Sequence, residues 1–452
     1  MKIRPAYPSG VSRRNRLVLI ISCTICLLLW LLFYGSLLGW NGYTSAQAIR
    51  INELSEGHER FQRSSEPVVT EQYTLTYEID RSQVPSLYHN DLTLKVQVNQ
   101  VLAAQVIADG LVISHTHIPT GNILFTTSAA DIKIAIESSG DITGLGQITT
   151  TTLLNGKGFA WSHGMDDNVG LRKQVEVLES YGWTGTFFLI AKDVDETRDQ
   201  DWIVDEPYLK GKLPLGWSLG NHTWDHTCFP PFDEQTVIDG YNRLREVADA
   251  STVPDYRIIS FASPCNVSAY DPFIREHRDS GSSDVQFSEN GSLIPFVVDA
   301  GVAENILDEE TQLPNAYAFG FELAVGRIAL GTVSEDDPTV DPTHISAIDW
   351  MATQHEETGQ HFWYNTLTHG DAEDLLDQFA GYIYDTYGAP GTNKAWVAPS
   401  DEIYSYLLTR ERAVIVEKGV FDADGESIVI PTPSVPEEDP SSFDLYLPLL
   451  TQ

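Results

Sequence analysis

The run Gly158-Phe159-Ala160-Trp161-Ser162-His163-Gly164-Met165-Asp166-Asp167 passes through mostly apolar residues and stops on two adjacent carboxylates. About 55 residues later, Trp217-Ser218-Leu219 leads into His222-Thr223-Trp224-Asp225-His226, two histidines at the spacing of one helical turn. A third strand-like run, Phe362-Trp363-Tyr364-Asn365-Thr366-Leu367-Thr368, closes on His369. One Asp with two His is a common three-ligand set for a divalent metal that keeps a position open for water. The spare Asp and the distant His then supply a base and an acid. Metal-assisted hydrolysis is the chemistry this order of residues points to.

Between these runs strands and helices alternate. Residues 169–181 read as a helix, 184–190 as a short buried strand, and 257–261 as another strand. A helix starts near Asp233, a plausible N-cap, with Val237, Ile238, Tyr241, Leu244 and Val247 on one face. Further strands are expected at 294–298 and 320–330, and a helix at about 343–357. Repeated βα units imply an α/β fold with a mainly parallel sheet, open or closed into a barrel. In such folds chemistry gathers at the C-terminal strand ends, where all the residues above fall.

Upstream the pattern changes to strict alternation. Tyr73-Thr74-Leu75-Thr76-Tyr77-Glu78-Ile79, Leu92-Thr93-Leu94-Lys95-Val96-Gln97-Val98 and Ile132-Lys133-Ile134-Ala135-Ile136 each have period two. They predict a small sandwich-like all-β domain over 68–155. His115-Thr116-His117 within it has no carboxylate nearby and reads as surface polarity rather than a ligand pair. Residues 41–67 are polar and unpatterned, a linker. The α/β domain spans 156–412, and 413–452 adds strand-like pieces and an acidic, Pro-rich tail.

Residues 17–40 are an uncharged, mostly apolar run of 24, long enough to cross a bilayer. Lys2, Arg4, Arg13, Arg14 and Arg16 precede it, which places residues 1–16 in the cytoplasm and the rest outside. Two readings stand: a transmembrane anchor, or a secretion signal cut near the A-x-A at Ala46-Gln47-Ala48. Ile20-Ile21-Ser22-Cys23 loosely resembles a lipoprotein box, but the apolar run continues past it. Either way the catalytic region is extracytoplasmic. The chain carries 64 acidic against 28 basic residues, a net charge of -36. Such a surface repels phosphate backbones, so nucleic acid is excluded as a partner. Cys228 and Cys265 are the only cysteines outside the apolar run, and in an oxidising compartment they either pair or remain two reduced thiols.

Taken together, these motifs resemble the polysaccharide deacetylases, the NodB-homology domains of carbohydrate esterase family 4, over about residues 156–412. The family's strand ending in two aspartates is met at Asp166-Asp167, its H-[ST]-x-x-H at His222, Thr223 and His226, and its L-x-H at Leu367-Thr368-His369. Its strand into a Pro-containing loop is met at Ser260-Phe261-Ala262-Ser263-Pro264-Cys265, and Ala395-Trp396-Val397-Ala398-Pro399 with Glu402 and Tyr406 looks like its closing segment. The resemblance implies a distorted (β/α) barrel that removes acetyl groups from N-acetylated polysaccharide outside the membrane. It implies Asp167, His222 and His226 as ligands of a divalent metal, most often zinc, with Asp166 as general base and His369 as general acid. An O-acetyl esterase and a catalytically impaired glycan-binding protein are the alternatives on the same fold. Three departures mark this chain. The usual Gly after the acidic pair is Asn168, a residue that tolerates left-handed backbone. The third motif lacks the Arg that steadies the base, for which Arg327 is the substitute on offer. The acid-Trp pair of the fourth motif is matched only loosely by Asp349-Trp350, which would let Asp349 orient His369.

Overall fold

The computed structural model describes residues 70–431 except 85–90, 100, 119–120, 140–141, 196–203, 250, 252, 254–255, 257, 267–269, 271–295, 300–323, 327, 332–339 and 360. The apolar run 17–40, the linker, Arg327 and the tail beyond 431 lie outside the described residues. Among the described residues no helix is long and apolar enough to cross a membrane.

The alternating segments form two antiparallel sheets. One has the order β19-β18-β1-β7-β3-β4, built from β1 (Glu71–Asp80), β3 (Val101–Ala108), β4 (Leu111–Ile113), β7 (Asp131–Ser138), β18 (Val414–Asp422) and β19 (Ser427–Ile428). The other has the order β5-β6-β2-β8, from β2 (Leu92–Gln97), β5 (Thr116–Ile118), β6 (Asn122–Thr127) and β8 (Ile148–Thr150). Period-two burial is what joins them: Tyr73, Leu75, Tyr77 and Ile79 of β1, and Leu92, Leu94 and Val96 of β2, all enter one core. His115 and His117 stay near the surface of β5, their Nε2 atoms 3.3 Å apart.

Residues 414–422 do not form a separate appendage. β18 runs antiparallel along β1, Tyr73 facing Asp422 and Asp80 facing Val414, with a register shift at Thr76/Tyr77. The strand-like run Ala413-Val414-Ile415-Val416 marks the start of β18 but carries no signal of its partner some 340 residues upstream.

The α/β part is a parallel sheet of order β14-β13-β12-β11-β10-β9-β16-β15, with β17 also on β9. Its strands are β9 (Phe159–Asp166), β10 (Thr186–Leu189), β11 (Ser218–Asn221), β12 (Ser260–Ala262), β13 (Phe296–Asp299), β14 (Ala324–Gly326), β15 (Ile328–Ala329), β16 (Phe362–His369) and β17 (Ala395–Val397). Its helices are α1 (Leu171–Ser180), α2 (Glu206–Lys212), α3 (Glu234–Asp249), α4 (Pro342–Thr358), α5 (Glu373–Tyr387) and α6 (Ser400–Arg412). This half-barrel arrangement is consistent with the deacetylase (β/α) fold. Phe159, Trp161 and Met165 of β9 pack outward against helices α1 to α5. Ala160 of β9 and Trp363 of β16 face the other way and join the core of the β-sandwich through Ile403, Tyr406 and Leu407 of α6. One apolar core therefore runs from the antiparallel sheets into the parallel one.

Val420 on β18 is 2% exposed and packs in that shared core, whereas Val414 on the same strand is 52% exposed. Val420→Asp is expected to cost about 3 kcal/mol, because a buried carboxylate there has no ionic partner. Val414→Asp is expected to be nearly neutral. Urea unfolding of the two variants is the check, and equal midpoints would contradict the pairing of β18 with β1.

Candidate active site

β9 is the central strand of the site. Its last residue, Asp166, is 2% exposed and lies in register with His369, the last residue of β16. On the other side Asp166 is level with Phe188 of β10, and β10 in turn pairs with β11, which ends one residue before His222. Parallel pairing thus brings three sequence-distant strand ends to one edge.

The chain turns sharply at each end. Asp167 adopts φ 67°, so the left-handed turn falls on Asp167 and not on Asn168 as the family pattern suggested. Asn168 is buried, and its Oδ1 accepts a hydrogen bond from the Ile190 N–H at 3.0 Å. It ties the acidic loop to the end of β10. The histidine pair sits in an irregular turn, not on a helix: Thr223 and His226 both have positive φ, at 67° and 57°. Asn221 Oδ1 accepts from the Thr223 N–H, and Thr223 Oγ1 accepts from the His226 N–H. These two bonds fold His226 back over His222, bringing the ring centroids to 4.8 Å.

α3 supports this turn. Asn221 Nδ2 donates to the Val237 carbonyl, and the Trp224 N–H donates to the Thr236 carbonyl at 2.8 Å. A Cβ on Gly240 would stand 2.7 Å from the Thr223 carbonyl carbon, so only glycine lets the helix approach this closely. Sequence reading passes over Thr236 and Gly240. Their signal is two small residues one turn apart on the helix that follows the histidine motif.

Asp167, His222 and His226 each bring one ligand atom within 4.8 Å of the others. His222 Nε2 lies 3.9 Å from Asp167 Oδ1, and His226 Nε2 lies 3.7 Å from the same oxygen. His222 Nδ1 donates to the Ala262 carbonyl at 2.8 Å, which leaves Nε2 as the lone-pair nitrogen facing the carboxylates. Asp167 Oδ1 is screened from solvent and no hydrogen bond reaches it. A buried carboxylate oxygen facing two imidazole nitrogens fits a divalent cation, whose charge would offset the cost of that burial. Asp166 Oδ2 lies between this triad and His369, 4.0 Å from His222 Nε2 and 3.8 Å from His369 Nε2. His369 is 57% exposed and open to an incoming substrate. Trp224, between the two histidines, is also partly exposed, while Trp161, Trp217 and Trp363 are buried.

Pro264 opens the short turn after β12, directly beyond the Ala262 carbonyl that holds His222. Cys265 in that turn is bonded to Cys228, two residues past His226, with Cα atoms 5.6 Å apart. The bridge joins the loop of one ligand to the loop that orients the other. Asp349 takes no part in the site, contrary to the role expected for it. Its carboxylate accepts hydrogen bonds from Tyr382 and Tyr387 of α5. Those tyrosines lie about 13–21 Å along the helix from its start beside His369, at 1.5 Å per residue. Trp350 packs on Phe362 at 5.1 Å between ring centroids, an ordinary core contact at the N-terminal end of β16. Adjacent residues on α4 thus serve packing. Arg327 lies outside the described residues.

Mass-spectrometric metal analysis of the purified protein is expected to give about one divalent ion per chain. His222→Ala or His226→Ala should remove it, and Asp166→Asn should keep it. The Cys228–Cys265 bridge closes a loop worth roughly 3–4 kcal/mol in the chain-entropy model. Non-reducing peptide mapping should recover the linked pair, and Cys265→Ser should lower the melting temperature.

Residues 164–267 match the family model "Polysaccharide deacetylase". No curated protein matches the chain. Three solved structures show distant likeness. A family 4 acetyl xylan esterase from Clostridium thermocellum is 11% identical, covering 54% of this chain and 90% of its own, at TM-score 0.30. The peptidoglycan deacetylase of Bacillus subtilis is 12% identical, covering 56% of this chain and 93% of its own, at TM-score 0.28. A carbohydrate esterase family 4 pseudoenzyme from Bacillus anthracis is 14% identical, covering 55% and 66%, at TM-score 0.28. Overlaps this low leave the assignment resting on the matched segment and the residues within it. The acidic pair, the histidine pair and the Pro264 turn all fall inside that segment, and it is there that the chain is similar to the polysaccharide deacetylases.

Proposed function

We propose that this chain is a metal-dependent hydrolase that removes acetyl groups from N-acetylated polysaccharide. The observation that carries the reading is the division of labour at the strand ends. Asp167, His222 and His226 face one point, while Asp166 and His369 face each other beside it. Asp167, His222 and His226 would hold a divalent ion, zinc in this reading, which would supply Lewis acidity and lower the pKa of a water towards neutral pH. Asp166, outside the ligand set, takes the proton from the attacking water. The acyl carbon is attacked on the side facing Asp166, and the C–N bond breaks as His369 hands a proton to the departing amine. Without that proton an amide expels a poor leaving group. His369, in register with Asp166 on the adjacent strand, is placed to give it. The disulfide and the Ala262 carbonyl hold both histidine ligands during turnover.

The five cationic residues before the apolar run 17–40 support an extracytoplasmic site, anchored or released. The chain run carrying β14 and β15 pairs with β13 at one edge and β16 at the other, which supports closure of the sheet into a distorted barrel.

Acetate release from a panel of N- and O-acetylated glycans, with chelator and with zinc restored, tests the assignment. The expected result is release from N-acetylated members that chelator abolishes and zinc restores. His369→Ala is expected to lower kcat on these by about 100-fold or more. Release unaffected by chelator, or confined to O-acetyl esters, would overturn the reading as stated. Protease added to intact cells is expected to cleave the catalytic region.

A further inference from the structure

The outward face of β9 carries a buried polar residue where its neighbours are large and apolar. His163 is 1% exposed, between Trp161 and Met165 on the face that packs against the helices. Its Nδ1 lies 2.9 Å from Thr366 Oγ1 and its Nε2 lies 3.0 Å from Thr368 Oγ1, both on β16. Thr368 Oγ1 donates to Gln174 Oε1 of α1, and Gln174 Nε2 donates to the Gly370 carbonyl. Trp161 Nε1 donates to Thr366 Oγ1 at 2.9 Å.

Donor counting orders the series from Gly370 back to His163. Gln174 gives its N–H to Gly370, so its oxygen accepts from Thr368. Thr368 has then spent its proton and accepts from His163 Nε2–H, while Thr366 Oγ1 lies 2.9 Å from Nδ1 and also faces the Ser162 carbonyl at 3.4 Å. Thr366 in turn accepts from Trp161. Three hydrogen bonds run head to tail from His163 through Thr368 and Gln174 to Gly370, a sense in which each strengthens the next. Every side chain in the series is at most 2% exposed. Partial satisfaction in such a place would be costly, so the series holds as a unit.

The series ends on both sides of His369. Thr368 precedes His369 and Gly370 follows it. Gly370 has φ 56°, and a Cβ on Gly170 would lie 2.5 Å from the Gly370 carbonyl carbon. The loop after β9 therefore rests directly on the loop after β16. Alternation along β16 sends Thr366 and Thr368 outward and His369 inward to Asp166.

We infer that His163, Thr368 and Gln174 form a positioning relay that fixes the backbone around His369, so that its imidazole stays over Asp166. Resting on the proposed role of His369 as acid, the inference adds three positioning residues from the far side of the sheet. They touch neither substrate nor metal.

The test separates positioning from plain packing by leaving group. An N-acetylglucosamine oligosaccharide needs its amine protonated, whereas 4-nitrophenyl acetate expels a phenolate that does not. Thr368→Val keeps shape and removes the hydroxyl; Gln174→Met keeps length and removes the link to Gly370. Both are expected to lower kcat on the oligosaccharide about ten- to a hundredfold with KM unchanged. Hydrolysis of the aryl ester should be retained, and Thr368→Ser should restore the oligosaccharide rate. Equal loss on both substrates, or no loss on either, overturns the relay. Crystal structures of wild type and Thr368→Val decide independently of activity. The His369 to Asp166 separation is expected to widen in the variant, and an unchanged separation overturns the inference. Wild type inactive on both substrates would instead refute the proposed hydrolase, with the crystal comparison still judging the relay.

Discussion

The eight-residue parallel pairing of β9 with β16 is the constraint on which the site depends. It sets Phe362 level with Phe159 at one end and His369 level with Asp166 at the other. A shift of one residue would turn Asp166 to the outer face, because side chains alternate along a strand. The register is held on both faces. Ser162 donates to Asn365 and accepts from Trp363 on the inner side, while His163 bridges Thr366 and Thr368 on the outer side. Buried hydrogen bonds of this kind are lost together if the strand slips, so they specify alignment more sharply than apolar contacts alone.

In the proposed mechanism, binding the ion and transferring protons make opposite demands on the two aspartates. Asp166 closes a regular strand and is almost wholly buried, which suits a base that must stay out of the ligand set. Asp167, one residue on, is turned out by its left-handed backbone toward the two histidines. A single change of backbone conformation thus gives adjacent, chemically identical residues two orientations. Strain of this sort is held at functional sites by the structure around them, here by Asn168 and its bond to Ile190. The histidine turn is held in the same manner, with two further left-handed residues braced by α3 and by the disulfide.

Local patterns made much of this legible in the sequence. The alternation of β1, β2 and β7 follows from one buried face, and the acidic pair, the histidine pair and His369 stand at strand ends that periodicity locates. Four things were not legible. The four-residue spacing of His222 and His226 suggests a helix, yet Asn221 and Thr223 side chains compete for the backbone N–H groups and form a turn instead. Asp349 sits beside a tryptophan as the family pattern asks, but a helix contacts a sheet along its whole length, and Asp349 falls at the wrong end. The partner of β18 and the series through His163 depend on pairings between distant segments. Alternate Thr366 and Thr368 facing a lone strand histidine was the available hint, and it becomes readable only once β9 and β16 are known to be neighbours.

Zinc X-ray absorption spectroscopy tests the account most directly, because it identifies the ligating atoms without reference to substrate. The account predicts a first shell of nitrogen and oxygen alone, with two imidazoles at about 2.0–2.1 Å. Sulfur in that shell would place the metal on Cys228 and Cys265, next to His226, and would contradict the assignment of Asp167, His222 and His226 as its ligands.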